Sequence, residues 1–162
     1  MYSFTVKITV VCCILRCGTT ASMRWSGISA KRMSRVKFYY NDLYEVKLPI
    51  THRFPMQKYR LVREMLQEQY KHRDDVIFEA SPLVTREELI STHCPIYVDN
   101  YLNGNLTAAE IRKTGFPWDR SNVDRSLSSV GGTLAAMRTV MMHDRISIAG
   151  HIAGGTHSYI IV

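Results

Sequence analysis

The spacing of hydrophobic and polar positions changes period several times along this chain, and each change marks an element. Val36-Lys37-Phe38-Tyr39-Tyr40 is β-branched and aromatic and predicts a first strand. Pro55 stands where a helix would begin, and Tyr59, Val62, Leu66 and Tyr70 recur at helical spacing over residues 56–71. Residues 76–80 read as a second strand, stopped by Ser81-Pro82. Two capping boxes follow, Thr85-x-x-Glu88 and Thr107-x-x-Glu110, each setting a hydroxyl N-cap against a carboxylate at the third helical position. Between them, residues 95–102 predict a short helix closed by Asn103-Gly104.

The longest helical pattern covers residues 121–142, with Val123, Leu127, Val130, Leu134, Met137 and Met141 on one apolar stripe. Gly131-Gly132 interrupts it, and a glycine inside a helix costs about 1 kcal/mol relative to alanine. Such a pair points to close approach of another backbone, or alternatively to a kink or a helix broken in two. The apolar run 148–153 predicts a further strand, leading into Gly154-Gly155-Thr156-His157. The alternation of strand and helix predicts an α/β fold with a parallel sheet.

Composition divides the 162 residues into a leader and a body. Residues 1–41 hold seven basic residues (Lys7, Arg16, Arg24, Lys31, Arg32, Arg35 and Lys37) and no acidic one. From Asp42 onward basic and acidic residues balance at fourteen each, so the net charge of +7 belongs to the leader. A nucleic-acid-binding protein would place basic residues on its folded body, and direct binding to nucleic acid is not expected. No run approaches the ~18 apolar residues of a membrane span, and no membrane partner is expected. The acid-free leader, residues 1–35, reads as an organellar transit peptide (mitochondrion or plastid) or a disordered extension, with residues 8–15 a weak secretory core. Three of four cysteines, Cys12, Cys13 and Cys17, fall in it; Cys94 alone in the body fits a reducing compartment.

Candidate chemistry gathers at the strand, glycine turn and histidine that end in His157, an arrangement by which α/β enzymes present an imidazole. Gly154-Gly155-Thr156 lacks the Gly-Lys-Ser/Thr of a P-loop and the Gly-x-Gly-x-x-Gly of a dinucleotide fold. His52, His72, His93, His143 and His151 show no i, i+4 pairing or carboxylate at ligand spacing, and read as surface or packing histidines.

Several stretches together resemble the amino-terminal part of the zinc-dependent histone deacetylase superfamily, nearest its class IV and plant or bacterial deacetylase-like branch. They are Leu48-Pro49-x-x-His52-Arg53-Phe54-Pro55-Met56-x-Lys58-Tyr59, His93 with Tyr97-Val98, Gly115-Phe116-Pro117-Trp118, Arg125-Ser126, Gly131-Gly132-Thr133-Leu134-Ala135-Ala136, and Ala153-Gly154-Gly155-Thr156-His157. They span residues 38–157 in the family's order and spacing.

The resemblance implies part of an arginase/deacetylase-like three-layer fold over residues 36–157, incomplete in its parallel sheet, and the hydrolysis of N-acetyl-lysine in proteins such as histones. In that family zinc polarises the acetyl carbonyl and lowers the pKa of its bound water, paired histidines handle protons, and a tyrosine stabilises the oxyanion. His157 matches the first histidine of the tandem pair, which assists and positions. Ser158 stands at the second, and its hydroxyl is no base near neutral pH. Arg53 resembles the arginine kept beneath the active site, Gly155 belongs to the glycine turn, His52 and His93 match structural positions near the rim, and Asp99 is a weaker match to a substrate-contacting carboxylate. The family's zinc ligands, an Asp-x-His pair and a later Asp, lie beyond this point, and residues 158–162 depart from the pattern. The expectation is therefore a truncated, catalytically inactive member that binds no zinc. The alternative is an interaction module that meets a full-length deacetylase or a corepressor through an exposed sheet edge and the 121–142 helix. The family's setting is nucleus or cytoplasm, whereas the leader points to an organelle.

Overall fold

The computed structural model describes residues 35–48, 54–142 and 146–153, and their elements follow the predicted order. Strand β1 (Arg35–Tyr40) is followed by helix α1 (Lys58–Gln69), strand β2 (Val76–Ala80), and the helices α2 (Arg86–Ile90), α3 (Pro95–Asn103) and α4 (Ala108–Thr114). Helix α5 (Arg120–Met142) and strand β3 (Ile146–His151) complete the set. The strands form one sheet in the order β2-β1-β3, both pairings parallel. The fold is α/β, as the alternation predicts.

Side chains alternate across the strands, which gives each sheet face its own helix. Tyr39 and Ala149 face α5 and pack with Ala136, and the Tyr39 hydroxyl bonds to Oγ1 of Thr139 at 2.8 Å. On the other face Phe38 and Phe78 lie 5.5 Å apart between ring centroids. There α1 reaches the sheet through Arg63, whose guanidinium sits 5.0 Å from the Tyr40 ring centroid and grips Asp42 with two nitrogens.

Local chemistry explains where the short helices begin and end. Both threonine capping boxes form, Thr85 accepting from the Glu88 N–H and Thr107 from that of Glu110, each glutamate returning the bond to the cap. Gly104 and Gly115 close α3 and α4 with φ of 77° and 75°, a region where a Cβ is strained. Gly104 has a second reason to be glycine, since the Trp118 ring lies against it. The Trp118 indole donates to the Tyr101 carbonyl at 2.6 Å, joining α3 to the start of α5. A second core of Val84, Val123 and Leu127 forms there, with Leu89, Tyr101, Leu102, Trp118 and Leu134 around it.

In α5 the glycine pair follows the close-approach reading, and the extent of the apolar stripe is corrected. Gly131-Gly132 does not break the helix, which runs unbroken through both residues. A Cβ on Gly131 would collide with the carbonyl oxygen of Pro82, so the pair serves close backbone contact, and the Val84 N–H bonds directly to the Leu127 carbonyl at 3.2 Å. The apolar stripe is also only partly core. Val123 and Leu127 are buried, but Val130, Met137 and Met141 are exposed, and the buried face continues instead through Ser128, Gly131, Gly132, Ala136 and Thr139. A helix this close to its neighbours leaves room only for small side chains. The final strand is shifted as well: β3 starts at Ile146 and ends at His151, two residues before the predicted limit.

Candidate functional site

Parallel α/β sheets bind ligands at the carboxyl ends of their strands, where the strand order reverses direction. Here the chain leaves β1 for β2 on one side and returns to β3 on the other, so the reversal falls between β1 and β3. Polar residues collect at this end. Asn41 follows β1, Ser81 follows β2, and His151 closes β3; they are 1%, 4% and 2% exposed. The Ser81 N–H bonds to the Tyr40 carbonyl at 2.7 Å and that of Ile152 to the Tyr39 carbonyl at 2.8 Å, which fixes the three strand ends relative to one another.

Helix α5 roofs these residues with its small, hydroxyl-bearing face. The Asn41 amide donates to Oγ of Ser129 at 2.8 Å. Thr133 Oγ1 lies 3.5 Å from Nδ1 of His151, and a Cβ on Gly132 would crowd both Ser81 Oγ and the His151 ring. Burial, and to a lesser degree the positive charge of Arg125, together push the His151 imidazole down to about 4 from its ordinary 6.5. It is a neutral ring at neutral pH.

Arg125 approaches from the first turns of α5. Its guanidinium stacks 4.3 Å from the Tyr59 ring centroid and one nitrogen reaches the Tyr44 carbonyl at 3.4 Å. Burial holds its pKa below the ordinary arginine value. Beside it, residues 45–48 and 54–57 line an open cleft that includes Val46, Leu48, Phe54 and Met56.

Of the site residues expected from the sequence, Arg53, Gly155, His157 and Ser158 lie outside the described residues, as do His52 and His143. Asp99 is engaged by an arginine of the neighbouring helix. It sits on α3 in a two-pronged ion pair with Arg86, Nε to Oδ1 at 2.6 Å, and that partner holds its carboxyl below the usual range. His93 caps the turn after α2, its N–H on the Leu89 carbonyl at 2.9 Å, and His72 is exposed. Among the described residues no three of His, Cys, Asp or Glu converge on a point that would hold a metal ion. None of them is therefore assigned to the zinc that the resemblance implies, and no step is derived through it. The residue that sequence reasoning undervalued is His151. Its signal was available, since it lies in phase with Ala149 on a strand whose α5-facing side is buried.

No family model matches the chain. It is similar to an uncharacterized protein of Picosynechococcus sp., 36% identical over 118 residues, which cover 73% of this chain and 38% of that protein. The chain thus spans well under half the length of this curated relative.

Proposed function

We propose that the chain carries the amino-terminal part of a zinc-dependent protein lysine deacetylase domain, with the arginase/deacetylase fold and acetyl-lysine in proteins such as histones as the family's substrate. One observation carries the reading. The Gly-Gly-Thr segment at 131–133, matched to the family on sequence, packs against the residue that ends β3, and the matched Ala153-Gly154-Gly155-Thr156-His157 stretch begins two residues later. Gly132 and Thr133 meet His151 at one end of a parallel sheet, where ligands of such folds bind. Within this reading His157 positions and assists. Ser158, in place of a second histidine, leaves this chain without the general base, so it does not itself turn over acetyl-lysine.

The test starts with the Picosynechococcus relative, assayed on acetyl-lysine peptides with and without a zinc chelator. The expected result is zinc-dependent release of acetate, retained by a chimera in which this chain's residues replace the aligned 118-residue segment as far as Thr156. A relative inert on a panel of acyl-lysine peptides would overturn the proposal.

A second reading, a non-catalytic interaction module, is favoured by the exposed Val130, Met137, Met141 and Met142 on α5 and Ile148 on β3. Its occupant would be a full-length deacetylase or a corepressor. Saturable one-to-one binding in calorimetry supports it, and a flat titration removes it.

A further inference from the structure

Asn41, Ser81 and His151 share one side of the sheet. Tyr39 pairs with His151 and Tyr40 with Ala80, so the next residues, Asn41 and Ser81, are cross-strand neighbours on the face that His151 shares. Each carries one buried side-chain atom with no hydrogen-bond partner among the described residues: Oδ1 of Asn41, Oγ of Ser81 and Nε2 of His151. Oγ of Ser81 and Nε2 of His151 both fall within 3.0 Å of the point where a Cβ on Gly132 would stand.

The surrounding bonds fix what each atom can do. Thr133 Oγ1 lies 3.0 Å from the Ser129 carbonyl, which can only accept, so the threonine proton is spent there. Its oxygen can then only accept from His151 Nδ1, which places the imidazole proton on Nδ1 and leaves a lone pair on Nε2. The Asn41 amide nitrogen is committed to Ser129, leaving Oδ1 as an acceptor. Two lone pairs thus need protons, and the Ser81 hydroxyl can supply one. A direct Ser81 to His151 bond would leave Asn41 Oδ1 bare, at a cost of about 1–3 kcal/mol for a buried unsatisfied group. A molecule with two protons to give and one lone pair to offer completes all three. The bare acceptors disfavour an anion, and the neighbouring Arg125 charge disfavours a cation.

We propose that Asn41, Ser81 and His151 hold a single internal water molecule beneath α5, donating to Asn41 Oδ1 and His151 Nε2 and accepting from Ser81 Oγ. Such a water ties the ends of all three strands to the helix and fixes the point at which Ile152 leaves the sheet. The inference does not depend on the deacetylase reading and survives its failure.

The test is a high-resolution crystal structure of the full chain together with ¹⁵N NMR of His151. The expected result is one ordered water within hydrogen-bond reach of the three atoms, an unprotonated Nε2, and water-to-His151 cross-relaxation that disappears in Ser81→Ala. Should that variant not fold, the unsubstituted chain decides alone. A proton on Nε2, or Ser81 Oγ bonded directly to Nε2 with no water between them, overturns the proposal.

Discussion

At the scale of single residues, the most demanding position is Gly131. Its hydrogen faces the Pro82 carbonyl across a gap that no side chain fits, and both sides of that gap are backbone, which no rotamer change can clear. Gly131→Ala gains about 1 kcal/mol of helix propensity but forces α5 away from the loop after β2. The expected outcome is a net loss of about 2 kcal/mol, read as a lower urea midpoint at unchanged slope. That requirement was legible in the sequence because two glycines inside a strong helical pattern have few other uses. For His151 only the burial was legible, from its phase with Ala149; a single histidine on an apolar strand gives no sign of its partners. What defines it are Ser81 and Thr133, which lie 70 and 18 residues away and which only the fold brings together.

At the scale of elements, local signals were read well wherever the cause of the structure is local. The boxes at Thr85 and Thr107, the Pro95 start and the Gly104 stop all act within four residues, and each appears where the spacing places it. The five-residue α2 depends most on its cap, because so short a helix has almost no propagation to offset nucleation. Thr85→Ala is expected to cost about 1 kcal/mol and to speed hydrogen exchange at the Glu88 amide, while α4, with its own cap, stays protected. The α5 stripe was misread for a non-local reason. Periodicity identifies a helix and its faces, but which face is buried is decided by how closely the neighbours approach. Here that distance selects serine, glycine and alanine over valine and methionine.

At the scale of the whole molecule, the buried imidazole couples folding to acidity. His151 titrates near 4 in the folded chain and near 6.5 when exposed, so the unfolded state binds more protons in between. Its contribution to stability is complete above pH 6.5 and is lost progressively as pH falls toward 4, by roughly 3 kcal/mol at about 1.4 kcal/mol per unit. Urea melts between pH 7 and pH 4 should show this fall, and His151→Asn, neutral throughout, should remove most of that slope. The parallel order β2-β1-β3 was legible only as far as strand-helix alternation implies a parallel sheet; which strand lies in the middle depends on pairings between residues 35–40 and 146–151 that no local pattern encodes.

The contact between Trp118 and Gly104 gives the molecule an optical reporter. The chain has two tryptophans, and this one is clamped by its indole nitrogen to Tyr101 and by its ring face to the end of α3. Its emission therefore follows the seam between the short helices and α5, whereas far-UV ellipticity follows every helix at once. Melting curves recorded both ways, with Trp118→Phe subtracting the contribution of Trp25, coincide when the sheet and the helical layer unfold as one cooperative unit. They separate when the seam opens first.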